Sequence, residues 1–418
     1  NKGAEEDVFY AYGISADLIS DVSSAGLIRV ASKKDIETLD YTNLDNTQLS
    51  QKLFVRYVAN GELWRMGDVF QLSVELYDTK DKKVVWSDRW QEKWDNLTTI
   101  RGSLSDGLLK ALGTKPKVEQ KVATMNPEAY ELYLKAKHKY EKRENTDDTE
   151  MARELLNKAI EIDDNLIVAK ALLGTTYVDL RDYDKAMEIY TPVLKQAEEL
   201  GDKRGMGVTL NNIGIVHHDN GDLDKALNYY ERSLAIAEEL GDKRGMGVTL
   251  NNIGLVHYNK GDYDKALDYY GRALAIAEEI GSKHGMGLCL NNIGAVHYNK
   301  GDYKKSLEQL EKSLNIQKEI GIKVIELETT TYLYLSYKHL GKDYDEKDIH
   351  SLIKDAENIE FYLNIRLYEI LEDKSYLETA YKQVQDTVSE MEDKFAKKFL
   401  SYPIPKAIVE EYNKVFKK

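Results

Sequence analysis

The side chains best suited to chemistry in this chain recur at intervals rather than cluster. His217, His257 and His297 stand forty residues apart, and His218 lies beside the first. Imidazoles can ligate zinc or shuttle a proton, but a metal centre needs several ligands within bonding reach of one point. Neighbouring helices pack about 8–10 Å apart, so equivalent positions on successive repeats do not converge on one metal. His217, His257 and His297 also take the place that Tyr177 holds one period earlier, and packing is their expected role. No phosphate-cradling loop, zinc signature or glycine-serine nucleophile elbow is present. The run Gly205-Met206-Gly207 lacks the rest of a dinucleotide loop and follows no strand, and the serines of Asp21–Gly26 have no partner pattern. The single cysteine, Cys289, replaces Thr209 and Thr249 at one repeat position, which points to packing. Asn96-Leu97-Thr98 matches a glycosylation sequon, relevant only to a secreted chain. No catalytic residue, metal site or cofactor is assigned.

Amides are the other recurring group. The stretch GDKRGMGVTLNNIG spans 201–214 and, unchanged, 241–254; a near copy, GSKHGMGLCLNNIG, spans 281–294. Each carries an asparagine pair. An amide is both donor and acceptor, so it can hold a peptide backbone without reading its side chains, or it can stitch neighbouring helices together.

The elements that must position these residues are helices. Leu210, Ile213, Gly214 and His217 share one helical face, and Leu223, Ala226, Leu227, Tyr230, Leu234 and Ala237 share another. Gly221 suits a left-handed helix end and Asp222 an N-cap for the next helix; Gly201, Gly241 and Gly281 break the chain in the same way. Gly214, Gly254 and Gly294 fall inside helices, where glycine costs roughly 1 kcal/mol against alanine, so close approach by the second helix, through Ala226 or Ala266, is expected.

This pattern resembles the tetratricopeptide repeat. The residues that carry the likeness are Ile213-Gly214, His217, Ala226, Tyr230 and Ser233, then Ile253-Gly254, His257, Ala266, Tyr270 and Ala273, then Ile293-Gly294, His297, Ser306, Leu310 and Ser313. Looser copies keep Leu173-Gly174, Tyr177, Ala186 and Tyr190, and Ala136, Tyr140, Ala152, Leu156 and Ala159. The forty-residue period looks like the peptide-binding arrays of spindle-orientation scaffolds and kinesin light chains. Repeats are expected at about 126–164, 165–204, 205–244, 245–284 and 285–324, degenerate from 325 to 341, with capping helices over 342–418. By the family's geometry, Asn212, Asn252 and Asn292 face a concave groove, with His218, Tyr258 and Tyr298 beside them. The first asparagines, Asn211, Asn251 and Asn291, are expected to stitch helices. Little lysine or arginine lies on that face, so no carboxylate clamp is expected.

The first hundred residues change period. Phe70, Leu72, Val74 and Leu76 alternate as one face of a strand, between FVRYVANGELWRM and KKVVWSDRWQEK, with turns at Gly67-Asp68 and near Asp81. Helices are expected over YAYGISADLISDVSSAG, over NTQLSQKL with Asn46 as its cap, and over NLTTIRGSLSDGLLKALG; LIRVAS is expected as a short strand. This order, over about 8–112, resembles the N-terminal domain of TolB-like proteins. The resemblance implies a further strand before the first helix, and often an upstream class III nucleotide cyclase, transcription-factor or kinase domain. A chain that opens on Asn1 is therefore expected to be part of a longer one. Residues 115–125 are expected as a linker between separate cores.

The expected class is thus α+β: a small TolB-like α/β domain, 1–114, and then an all-α solenoid of helix hairpins in a right-handed superhelix. A net charge of −14 argues against nucleic acid, whose phosphates need a basic face. No run of about eighteen apolar residues exists to span a bilayer. One cysteine permits no internal disulfide; this fits the cytoplasm, while an upstream membrane segment would place the chain in the periplasm. The expected function is a non-enzymatic scaffold or sensor that binds a protein segment in the groove. Two alternatives are the regulatory portion of a cyclase-like signalling enzyme and a scaffold that self-assembles into homo-oligomers.

Overall fold

The computed structural model describes residues 8–24, 43–53, 55–66, 69–93, 96–114, 126–143, 145–321, 325–356, 358–389 and 393–417, with isolated positions at 31, 36, 39 and 391. The expected strand over 27–32 (Ala31 apart), the turn at 67–68 and the connector 115–125 lie outside them. The fold is α+β, a small antiparallel sheet followed by a long series of helices. Two compact units form: one runs to residue 216 and takes in 232–246 and 279–281, and the other comprises 217–231, 247–278 and 282–418.

In the first unit, α1 (Val8–Ser24) and α2 (Asn46–Leu53) precede β1 (Tyr57–Met66), β2 (Val69–Asp78) and β3 (Lys83–Lys93), and α3 (Leu97–Ala111) follows. The strands pair antiparallel in chain order, with Gly61 opposite Val74 and Leu72 opposite Trp90. Phe70, Leu72, Val74 and Leu76 are buried on one face, as their alternation requires. Asp78 ends that row and is also buried. A buried carboxylate is costly unless paired, and Arg56 Nη2 lies 2.6 Å away. Hydrogen bonds from Arg56 hold the Asp78 carboxyl down to about 2. The N-cap of α2 falls one residue before the expected Asn46. Asp45 Oδ1 accepts from the Gln48 backbone at 2.8 Å, and Gln48 Oε1 accepts from the Asp45 N–H in return. Asn46 instead accepts from Asn60 Nδ2 at 2.9 Å.

Among the described residues, twelve helices follow in six pairs. They are α4 (Pro127–Glu141) and α5 (Thr146–Ile162), α6 (Ile167–Asp179) and α7 (Tyr183–Leu200), α8 (Lys203–Asp219) and α9 (Leu223–Leu240), α10 (Lys243–Lys260) and α11 (Tyr263–Ile280), α12 (Lys283–Asn299) and α13 (Tyr303–Ile320), α14 (Glu326–Leu340) and α15 (Glu346–Asp355). Four more close the chain: α16 (Phe361–Leu371), α17 (Lys374–Ser389), α18 (Asp393–Phe399) and α19 (Pro403–Phe416). Separate cores were expected on either side of 115–125. One apolar cluster instead runs from Tyr10, Phe70 and Leu104 into Tyr130, Leu134, Leu156 and Leu173. Gly13 makes this continuity local, since a Cβ there would run into the Leu134 side chain.

The repeated GDKRG is a two-part hinge. Gly241 adopts φ 70°, and the Asp242 N–H then bonds Ala237 O at 2.9 Å, which closes α9. Asp242 Oδ1 in turn accepts from the Gly245 N–H at 3.0 Å and caps α10. A Cβ on Gly245 would sit 2.6 Å from that carboxylate, so glycine lets the cap approach. The close approach expected at Gly254 and Gly294 is present with a different partner. A Cβ on Gly254 would meet the Tyr270 ring at 2.7 Å, and one on Gly294 would meet Leu310 Cγ at 2.5 Å. Tyr270 lies one turn beyond Ala266 on the same helix face, so the large residue fills the space that glycine leaves.

Candidate functional site

The histidines of the repeats pack. His217 stacks on Tyr229 with ring centroids 5.2 Å apart, and His257 stacks on Tyr269 at 5.4 Å. Burial lowers the pKa of His217 and of His297. Among the described residues, no group of three or more His, Cys, Asp or Glu side chains is placed to hold a metal ion. Cys289 is buried, and burial pushes its thiol up to about 12, far from a reactive thiolate.

The amides are engaged between repeats. Asn292 Nδ2 donates to Asn251 Oδ1 at 2.9 Å, which joins the second asparagine of one pair to the first of the pair before. Asn291 is fully buried; its oxygen accepts from Thr329 Oγ1 at 2.8 Å and its nitrogen donates to Glu328 Oε1 at 3.1 Å. In the first compact unit, Asn212 Nδ2 lies 3.4 Å from Thr175 Oγ1 and also bonds Tyr190. Asn212, Asn252 and Asn292 are all half-buried.

Two further amides extend this row. Asn259 Nδ2 donates to His218 Nε2 at 2.8 Å, so the proton of neutral His218 sits on Nδ1 and points to Asp219 Oδ1 at 2.9 Å. One period on, Asn299 Nδ2 donates to the Tyr258 hydroxyl at 2.7 Å. Asn259 and Asn299 stand seven residues after Asn252 and Asn292, two turns along the same face. That offset could have singled them out from the sequence.

Tyr258 and Tyr298, expected at the edge of an open groove, are only 9% and 8% exposed; Tyr258 packs by Tyr263 and bonds Asn299, and Tyr298 lies against α16. Arg366 of α16 donates from Nη2 to Asn299 Oδ1 at 2.6 Å and from Nη1 to both oxygens of Glu369 at 2.6 and 2.8 Å. Its Cζ stands 5.3 Å from the Tyr298 ring centroid and 5.8 Å from that of Tyr332, within cation–π range. The Tyr258 and Tyr332 hydroxyls are 3.1 Å apart. Burial opposes the charge of Arg366, but the Tyr332 hydroxyl and the Glu369 carboxylate outweigh it and hold the pKa well above its ordinary value. Glu328 is half-buried beside Asn291 and Tyr362; desolvation raises its carboxyl, against the hydrogen bonds from both neighbours.

The later C-terminal helices also lie beside earlier repeats, whereas a cap at the end of the array was expected of 342–418. A Cβ on Gly221 would meet Met391 Cε at 2.7 Å, and one on Gly261 would meet Pro403 Cγ at 2.9 Å. Asp224 pairs with Lys398 of α18 and with Lys260, the latter at 2.9 Å.

Comparison with known proteins identifies the array. Residues 167–239 and 245–319 match the family model described as tetratricopeptide repeat, and the chain carries these repeats. A curated relative from Rhizobium meliloti (strain 1021), named "Putative adenylate cyclase 3", is 23% identical over 177 residues, which cover 41% of this chain and 30% of that protein. Similar solved structures include aspartyl phosphate phosphatase F from Bacillus subtilis, 17% identical with a TM-score of 0.48, covering 69% of this chain and 70% of that one. Another is a Signal Transduction ATPase with Numerous Domains protein with a tetratricopeptide repeat sensor from Pyrococcus horikoshii. It is 19% identical with a TM-score of 0.47, covering 69% of this chain and 42% of that one. No helix among the described residues is long and apolar enough to cross a membrane.

Proposed function

We propose that this chain is a non-enzymatic interaction module whose repeats take a segment of a protein partner on the face that bears Asn212, Asn252 and Asn292, beside His218, Tyr258 and Tyr298. The observation that carries this reading is the half-buried amide repeated every forty residues on the first helix of three successive repeats. Such amides combine donor and acceptor at regular intervals, which suits a peptide backbone. An extended peptide advances about 3.3 Å per residue, so amides about 10 Å apart would meet every third residue. The same amides also join repeats, and a purely structural role is the competing outcome.

A second reading makes the chain the regulatory portion of a longer signalling enzyme. The relative named as an adenylate cyclase supports it. The matched stretch spans less than a third of that relative, so any cyclase activity belongs to a proposal about a longer protein. Self-assembly is a third reading, which light scattering across concentration tests.

The groove reading is tested by panning a random peptide library on the full chain. The selected peptide is then titrated by calorimetry into wild type and Asn252→Ala. The expected loss is about 0.5–1.5 kcal/mol for one net hydrogen bond, with an unchanged melting curve. Unchanged binding with a large fall in melting temperature would return the asparagines to packing alone.

A further inference from the structure

Helix α16 places an arginine against the face that the preceding reading assigns to a partner. We propose that α16 is a built-in, displaceable occupant of that face, and that the partner it yields to is a protein segment carrying an arginine among apolar residues on a short helix. The proposal rests on the interaction-module reading and names both its regulation and the chemistry of its guest.

The array side of the contact is shaped for a guanidinium. Asn299 spends its Nδ2 on the Tyr258 hydroxyl and on Ala295 O, at 2.7 and 2.9 Å. Its amide is therefore fixed with the oxygen turned to Arg366, so it selects a donor. Tyr298 and Tyr332 offer their rings to the same cation. A planar, weakly hydrated guanidinium fits this setting better than the compact ammonium of lysine. Around the cation, α16 buries Leu363, Leu367 and Ile370. A guest that displaces α16 must cover the same apolar surface, which is why it carries apolar residues beside its arginine.

The α16 side is built to leave. Among the described residues, the only carboxylate that hydrogen-bonds Arg366 is Glu369 of the same helix. The two therefore depart as a neutral pair, giving up the Tyr298 hydroxyl that donates to Glu369 at 3.3 Å but stranding no partner charge of Arg366 on the array. Arg366 Nε is buried and has no hydrogen-bond partner among the described residues, so the docked state leaves one donor unmade. Local support for the helix is weak. It has eleven residues, its N-cap Glu360 makes no side-chain capping bond, and it ends on Glu372 at φ 57°, an unfavourable conformation for a residue other than glycine. Tyr362 adds a hydrogen bond to Glu328 that a departing α16 would break.

The test uses the full chain and a labelled synthetic peptide of this protein's own residues 358–372, in its native form and with alanine in place of its arginine. Fluorescence anisotropy measures binding to wild type, Arg366→Ala and Tyr362→Phe. Weakening the internal occupant should admit the external one. Arg366→Ala should bind the native peptide at least tenfold tighter than wild type does and Tyr362→Phe severalfold tighter, because a larger open fraction raises apparent affinity by that factor. In both variants the alanine peptide should bind at least severalfold more weakly than the native one. Tyr362→Phe removes one hydroxyl and keeps the ring, so it carries the test if Arg366→Ala fails to fold. Equal affinity of wild type and Tyr362→Phe for the native peptide, or equal affinity of the native and alanine peptides for the variants, overturns the proposal. If library-selected peptides bind through Asn252 while the native α16 peptide gains nothing in the variants, the displaceable helix falls and the interaction module stands. If neither class of peptide binds, both fall.

Discussion

The parts of helices α10 to α13 within 247–278 and 282–320 share one compact unit with helix α16 but are built on the opposite principle. In α10 to α13 each solution appears at least twice. Glycine faces a large residue at Gly254 with Tyr270 and at Gly294 with Leu310, and an amide reaches back one period at Asn259 and again at Asn299. In α16 nothing recurs: among the described residues, Arg366, Glu369 and Tyr362 make contacts found at no repeated position. Repetition fixes a frame whose interfaces are interchangeable. The unrepeated helix then decides what that frame holds, because it brings a cation to Asn299, Tyr298 and Tyr332.

The largest expected effect breaks the repeated part. Gly254→Leu drives a side chain into the Tyr270 ring, which a Cβ alone would already meet at 2.7 Å. Overpacking of this kind costs about 1–3 kcal/mol, and a thermal melt should show it as a clear fall in melting temperature. Gly271→Ala is the internal control. It lies in α11 with nothing within 4 Å of a Cβ, so exchange there should stabilise by about 0.5–1 kcal/mol. Equal melting temperatures for both variants would mean that the repeated glycines are not placed for close approach.

A smaller effect is expected where the two regions meet. The Tyr258 hydroxyl accepts from Asn299 and lies 3.1 Å from the Tyr332 hydroxyl, under α16. Tyr258→Phe removes that junction and keeps the ring. Asn299 Nδ2 retains Ala295 O, so the loss should be about one net hydrogen bond, roughly 0.5–1.5 kcal/mol. Hydrogen exchange locates it: protection should fall more in 361–371 than in 263–280. A uniform loss across both segments would dissolve the distinction between frame and occupant.

These examples also show why some features were legible in the sequence. The helix pairs, their glycine stops and the packing of His217 and His257 follow from local rules and a fixed period. The strand alternation of Phe70 to Leu76 is likewise local. Asp45 rather than Asn46 caps α2 because either residue type can cap, and only the return bond from Gln48 decides between them. The glycine partners were misplaced by one helical turn, a distance that residue size does not reveal in a pattern of small and large positions. Helix α16 was not legible as an occupant. Its contact with Asn299 spans 67 residues and that between Tyr298 and Glu369 spans 71, offsets unrelated to the repeat period and made by residues without repeated counterparts.

The smallest effect concerns how the last helices are held beside the earlier repeats. Asp224 is paired with Lys398 of α18 and with Lys260 of α10, and hydrogen bonds from these lysines, Lys398 first, hold its carboxyl down to about 2. The folded pKa is depressed, so the pairing stabilises the fold above the ordinary value of 3.8 and fades as pH falls from there towards about 2. More than half of the Asp224 side chain is exposed, so solvent screens the pair and the contribution stays within about 0–1 kcal/mol. Lys398→Ala should therefore differ from wild type by less than about 1 kcal/mol near neutral pH. The difference should shrink towards pH 2 and in about 1 M salt, where the Debye length is about 3 Å. Removing the Phe399 ring, which together with Met391 packs over Gly221, should cost more, because apolar contact rather than charge then does the holding. Melting curves of Lys398→Ala and Phe399→Ala across pH and salt compare the two contributions directly. If Lys398→Ala is the more damaging variant, and the damage persists in salt, the C-terminal helices are held by a specific ion pair. The contrast between a packed frame and its occupant would then have to be redrawn around charge.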